Sequence, residues 1–186
     1  MNLICAYDNA YGIGYNNQIP NWNLVGDLKT FKEKTIGKGN NCVIMGKNTF
    51  LSLNRNILLK RTNIIVSSTM YKSFLAENNI NNDNTIIKVK DNLIYMQDIN
   101  TAYNYAINNF DQLWLIGGAQ LYEAAVNASL VKEIHITYVN KKYNCNCYLL
   151  PNTIEFINKN LNQDCITKYI NNVPTPYYII SNLKCI

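Results

Sequence analysis

Short apolar runs alternating with helical patterns are the feature that most narrows what this chain can fold into. Leu3-Ile4-Cys5-Ala6-Tyr7, Cys42-Val43-Ile44-Met45, Asn63-Ile64-Ile65-Val66, Thr85-Ile86-Ile87-Lys88-Val89 and Leu113-Trp114-Leu115-Ile116 are four or five residues long and almost free of charge. A strand with one face in water alternates apolar and polar residues, whereas a run that is apolar throughout suits a strand covered on both faces. Between the runs, Asp98 is placed to cap a helix whose Ile99, Ala102, Tyr103, Ala106 and Ile107 share one stripe. A second helix is expected after Gly117-Gly118, running through Leu121, Tyr122 and Ala125. Buried strands joined by helices predict a mostly parallel α/β sheet. The final third changes character. Glu133 to Val139 and Pro176 to Leu183 read as longer strands, with a helix only around Ile154 to Leu161, so an antiparallel hairpin is expected at one sheet edge. The Asn-rich stretch from Glu77 to Asn84 reads as a loop inside one domain rather than a boundary.

A chain of 186 residues suits one domain, here 1–186, with a substantial core. Its 48% hydrophobic and 16% charged residues exclude a disordered chain. Seventeen Lys and Arg against 12 Asp and Glu give a net charge of +5, which suits an anionic small molecule. The cations are dispersed. The densest group, Lys29, Lys32, Lys34 and Lys38, follows a predicted helix and its exit, where solvated cations are ordinary. No basic run is interleaved with aromatic platforms, so nucleic acid is not an expected partner.

Of six cysteines, Cys5 and Cys42 fall within core runs, and Cys145-Asn146-Cys147 has too short a spacing for the usual zinc pair. Reduced thiols and a cytoplasmic location are expected, with no metal. The first apolar run ends at Asp8 without the basic and long apolar segments of a secretory signal, and no stretch is long enough to span a membrane. His135 alternates with Ile134 and Ile136, so it should face away from them, and with no partner cluster it reads as structural.

Asp27 stands out against this background. If Trp22 to Phe31 opens a helix, Leu24, Asp27, Leu28 and Phe31 fall at i, i+3, i+4 and i+7, on one face that is otherwise apolar. An inward carboxylate needs a donor or cation, and no Lys or Arg on that face supplies one. A ligand is one partner it could have. The others are the unpaired N–H groups and dipole of a first helical turn, or buried backbone donors.

Two segments look built for phosphate. In Val43-Ile44-Met45-Gly46-Lys47-Asn48-Thr49-Phe50 a strand ends on glycine and a helix starts, aiming free backbone N–H groups and the Thr49 hydroxyl at an anion, with Lys47 adding charge. Leu115-Ile116-Gly117-Gly118-Ala119-Gln120-Leu121-Tyr122 repeats the arrangement. Neither is a P-loop or a GxGxxG motif, and strand-glycine-helix junctions are common in α/β proteins. Two of them in one small domain point to a pyrophosphate held between helix ends, and so to a dinucleotide.

These residues, taken in order, resemble the dihydrofolate reductase family. The resemblance is carried by Leu3-Ile4-Cys5-Ala6, Gly12-Ile13-Gly14, Ile19-Pro20, Trp22-Asn23-Leu24, Asp27 with Phe31, Gly46-Lys47-Asn48-Thr49, Arg55, Arg61, Asn63 to Ser68, Ile116-Gly117-Gly118 with Tyr122, and Thr137. It covers nearly the whole chain. It implies a mostly parallel eight-stranded sheet with an antiparallel C-terminal edge and about four flanking helices. It also implies a monomer that uses NADPH to reduce 7,8-dihydrofolate, moving hydride to pterin C6 and a proton to N5.

The same resemblance assigns residues. Asp27 would bind the N3 and 2-amino edge of the pterin and, with Trp22 and Thr137, make up the catalytic group; Thr137 would orient the carboxylate and Trp22 would order water beneath a loop from Gly14 to Asn23. Ile4 and Ile116 would offer carbonyls to the pterin, and Cys5, Leu28, Phe31, Leu53 and Ile57 would wall its pocket. Arg61 would pair with the α-carboxylate of the glutamyl tail. Lys47, Ser67 and Ser68 would surround the 2′-phosphate of the cofactor, with Ala6, Ile13, Gly46, Asn48, Thr49, Gly117, Gly118, Ala119, Gln120, Leu121 and Tyr122 completing its site, and the Gly117-Gly118 peptide would be cis. Read without the family, Trp22 and Phe31 are equally core aromatics, Arg61 a surface cation and Tyr122 a packing residue. Asn21 interrupts the family's Pro-Trp pair, and the segment from Arg55 to Arg61 lacks the family's Pro and Gly and is one residue longer.

Overall fold

The computed structural model describes residues 1–24, 26–80, 86–161, and the backbone of strands 166–170 and 177–184. Thr85, Pro176 and residues 81–84 of the expected Asn-rich loop lie outside the described residues, as does Val25 of the expected first helix.

Six parallel strands form the middle of one sheet. They are β1 (Asn2–Asp8), β3 (Asn41–Gly46), β4 (Thr62–Val66), β6 (Leu93–Met96), β7 (Gln112–Leu115) and β8 (Glu133–Val139), while β2 (Gly12–Gly14) lies outside it, paired with β9 (Cys147–Tyr148). With β5 (Ile86–Lys90), β10 (Ile166–Ile170) and β11 (Tyr177–Lys184), the strand order is β10-β11-β8-β1-β7-β3-β4-β6-β5. The mostly parallel sheet and its antiparallel C-terminal edge are as expected. The strand count among the described residues is nine rather than eight. The strand expected at 85–89 runs antiparallel, because only Asp91 and Asn92 join it to β6 and so short a connection can only return the chain on itself.

Period-2 alternation divides the core. Leu3, Tyr7, Ile44, Ile64, Leu115, Ile134 and Ile136 face α4 (Ile99–Asn109), α5 (Ala119–Asn127) and α6 (Pro151–Asn160), where Ala102, Ala106, Ala125 and Ile157 complete one cluster. Val43, Met45, Ile65 and Trp114 face the other way, joined by Phe50 of α2 (Lys47–Ser52) and Met70 of α3 (Ser68–Glu77). α1 (Asp27–Ile36) brings the helices among the described residues to six, against about four expected. Asp98 caps α4 as expected, accepting from the Thr101 N–H at 2.9 Å.

The first helix starts later than its apolar spacing predicts. Asn23 has φ 53° and Gly26 φ 88°, both left-handed, so the chain turns twice before Asp27 takes the first helical position. Leu24 is therefore not on the helix. Leu28 is 69% exposed, contrary to the inward face expected of it.

Candidate active site

Of the three readings of Asp27 the first-turn one holds, and a side-chain donor that none of the three named is added to it. Asp27 occupies the first turn of α1, where the helix dipole favours a negative charge, and its Oδ1 accepts a 2.7 Å hydrogen bond from the Thr137 hydroxyl of β8. Burial raises its pKa above the usual carboxylate value, and the Thr137 bond opposes that shift. No cation of the described residues forms an ion pair with it. The carboxylate is half-buried with lone pairs to spare.

Trp22 lies close by in the fold and is 2% exposed, packed with Val139, Ala6, Leu24 and Tyr143. Its indole N–H is buried without a protein acceptor, a donor suited to an ordered water or ligand. The extra Asn21 is absorbed locally: the Trp22 N–H returns to the Pro20 carbonyl at 2.7 Å, leaving Asn21 in solvent and Trp22 inside. The loop from Gly14 is pinned at its start by Asn146, whose N–H donates to the Gly14 carbonyl at 3.0 Å and whose amide exchanges hydrogen bonds with Asn16.

Ile4, Leu53, Ile57 and Ile116 are half-buried against the same cluster as Phe50 and Trp114, which places two of the expected wall residues beside the two expected to offer carbonyls. Phe31 is half-buried. Leu28 lies about 20° around α1 from Thr35, so it stands on the side of the helix that carries Arg61. Cys5 is different. It alternates to the opposite face with Leu3 and Tyr7, so its thiol does not join the Ile4 wall. Burial, with the nearby Asp27 charge, raises that thiol's pKa strongly. Ile4 already spends one lone pair of its carbonyl on the Tyr122 hydroxyl at 2.8 Å. Tyr122 is 3% exposed, which makes packing its first role.

At the C-terminal ends of the neighbouring strands β7, β3 and β4, three helices begin: α5 after Gly118, α2 after Gly46 and α3 after Ser67. The edge of a parallel sheet where strands feed helix N-termini is the usual place for a phosphate-bearing ligand. None of the three has an acid in its first turn, whereas the next N-terminus along the sheet already has Asp98. The Gly46 N–H donates to the Gly117 carbonyl at 2.7 Å, and the Gly117-Gly118 peptide is cis, so the two glycine turns of the sequence are in contact. The Thr49 hydroxyl lies beside Gly118. Lys47, Asn48, Ser68 and Gln120 are exposed, and Ala119 is half-buried. Ser67 caps α3, accepting from the Met70 N–H at 3.2 Å. Leu121 points into the main core and Ile13 packs against it, so any ligand contact they make is through backbone.

Arg61 is not a surface cation. It is 7% exposed, its Nη1 donating to Thr35 Oγ1 at 2.6 Å and its Nε to the Leu59 carbonyl at 3.1 Å. Thr35 and Asn63, both fully buried, have no part in the sequence-based site. Thr35 was detectable as the residue one turn beyond Phe31 on the same face. Asn63 stood in the run that carries the family resemblance, but with no role of its own.

Sheet, glycine turns and carboxylate together define an α/β protein with its polar groups gathered at the C-terminal edge of the parallel strands. The family model for dihydrofolate reductase matches residues 1–164. The chain is 31% identical over 171 residues to the bifunctional dihydrofolate reductase-thymidylate synthase of Paramecium tetraurelia, covering 92% of this chain and 32% of that protein. It is 32% identical to the dihydrofolate reductase of Candida albicans, over 74% of this chain and 66% of that one, and 34% identical to that of Buchnera aphidicola, over 77% and 69%. It thus spans about a third of the first relative and about two thirds of the others. The chain belongs to the dihydrofolate reductase family.

Proposed function

We propose that this chain reduces 7,8-dihydrofolate to 5,6,7,8-tetrahydrofolate with NADPH, serving one-carbon metabolism and thymidylate synthesis. The observation that carries the reading is Asp27: a half-buried carboxylate oriented by Thr137, with no cation paired to it among the described residues. Its two oxygens match the parallel N3 and 2-amino donors of a pterin. Ionised in this site, Asp27 raises the basicity of the pterin and steers a proton through water to N5. The buried Trp22 N–H is the donor that would hold such a water.

The three acid-free helix N-termini fit NADPH. Gly46 to Thr49 and Gly117 to Tyr122 would hold its pyrophosphate and nicotinamide, with Ala6 and Ile13 alongside, and Lys47, Ser67 and Ser68 would hold its 2′-phosphate. When bound, NADPH supplies the hydride that reaches pterin C6. Ile4, Ile116, Leu28, Phe31, Leu53 and Ile57 orient the pterin and exclude water, while Arg61 holds the α-carboxylate of the tail. Cys5, Cys42, Cys145 and Cys147 are free thiols, which supports a cytoplasmic location, and we take 1–186 as a single domain that acts as a monomer. Among the described residues no helix is long and apolar enough to cross a membrane.

The test is dihydrofolate-dependent loss of NADPH absorbance with the wild-type chain and Asp27→Asn. Wild-type turnover with most activity lost in the variant at neutral pH is expected. Normal turnover by Asp27→Asn would remove the proposed role, and NADPH binding without oxidation by the wild type would make the chain a binder rather than an enzyme.

A further inference from the structure

We propose that Asn63 and Thr35 form a two-part clamp that aims Arg61 at a carboxylate on the substrate's tail, making them positioning residues for tailed substrates. The inference rests on the reading of Arg61 given above. Asn63 is fully buried at the start of β4, and its side chain grips the preceding loop at three points. Its Oδ1 accepts from the Leu58 N–H at 2.8 Å, while Nδ2 donates to the Leu58 carbonyl at 3.0 Å and the Arg61 carbonyl at 2.9 Å. The loop it closes contains neither Pro nor Gly from Arg55 to Arg61, and Lys60 within it sits at φ 63°. A segment with no stiffness of its own is thus tied by one amide.

Thr35 completes the clamp at the guanidinium. Its hydroxyl donates to the Phe31 carbonyl at 2.8 Å, so towards Arg61 it can only accept, which fixes the direction of the 2.6 Å bond. With Nε on the Leu59 carbonyl, two of the five N–H donors are used and three are left as a fork. Among the described residues no carboxylate forms an ion pair with this buried cation. A buried charge without a counter-ion is costly unless a ligand provides one. Thr35 lies about 12 Å along α1 from Asp27, a separation of the order of a pterin joined through an aromatic ring to a carboxylate tail.

Steady-state kinetics with two substrates test this: 7,8-dihydrofolate, and 6-methyl-7,8-dihydropterin, which has no tail. Thr35→Val is expected to raise KM for dihydrofolate roughly tenfold, the loss of one charge-assisted hydrogen bond, with kcat within about twofold and KM for the dihydropterin unchanged. Thr35→Ser should restore the wild-type KM. Asn63→Ala should act in the same direction, and Thr35→Val decides the matter if Asn63→Ala does not fold. Adding Thr35→Val to Arg61→Ala should cost nothing more than Arg61→Ala alone. Equal KM changes for both substrates, or an unchanged KM for dihydrofolate in Thr35→Val, would overturn the clamp. If Arg61→Ala also leaves KM for dihydrofolate unchanged, the assignment of Arg61 has failed. If it raises KM while Thr35→Val does not, only the clamp has.

Discussion

Acid should loosen this protein through His135. The imidazole is 5% exposed, its ring centroid 4.9 Å from that of Trp114, and its Nδ1 lies 3.3 Å from the Lys34 ammonium of α1. An ammonium can only donate, so Nδ1 must be the acceptor and the ring proton sits on Nε2. Protonation would set two cations against each other. Glu133, with Oε2 3.6 Å from Nε2, favours the charged ring, but burial and Lys34 outweigh it and push the pKa from 6.5 down to about 4. The unfolded chain therefore binds an extra proton between those values, so stability is unaffected above pH 6.5, falls as pH drops through that window, and levels off near pH 4. A gap from 6.5 to about 4 sets a limit of roughly 3 kcal/mol, and solvent at one edge of the site reduces it to about 2 kcal/mol.

Urea unfolding at a series of pH values, followed by tryptophan fluorescence, measures this loss. Carboxylates also titrate in the window, so the informative quantity is the difference between wild type and His135→Phe, a ring that can keep the Trp114 contact. The variant should lose about 2 kcal/mol less between pH 7 and pH 4.5. His135 is the chain's only histidine, so one imidazole signal in an NMR titration gives its pKa directly. Parallel stability curves for the two proteins, or an imidazole midpoint near 6.5, would refute the reasoning.

Three further outcomes follow from the site and its scaffold. Thr137→Val removes the bond that lowers the Asp27 pKa, so the acidic limb of the activity profile should move to higher pH; an unmoved limb in a kcat/KM profile would separate Thr137 from Asp27. Lys47→Ala should narrow the preference for NADPH over NADH, and an unaltered ratio of the two kcat/KM values would count against a 2′-phosphate at α2. Gly12→Ala should destabilise by roughly 1–3 kcal/mol, because its Cβ would lie 2.5 Å from Cys145 Sγ and 2.7 Å from Cys145 Cβ; denaturant midpoints equal to wild type would show that the Cys145 segment yields.

Much of this molecule was legible before folding. The apolar runs at Leu3, Cys42, Asn63 and Leu113 became the central parallel strands, because a strand covered on both faces has no polar alternation to hide its length. Asp98, Gly46 and Gly118 marked helix starts, since capping is decided within a few residues. Asp27 was conspicuous for the same local reason. The tertiary structure decided what depends on partners distant in the chain: the antiparallel turn of β5, the side of the sheet to which Cys5 points, and the solvent on Leu28. It also turned His135 from a lone residue into a partner of Lys34, 101 positions away, and Asn63 into the tie of a loop. Backbone propensity is written in neighbouring residues, but the surroundings of a buried polar group are made by elements that meet only once the sheet has closed over them.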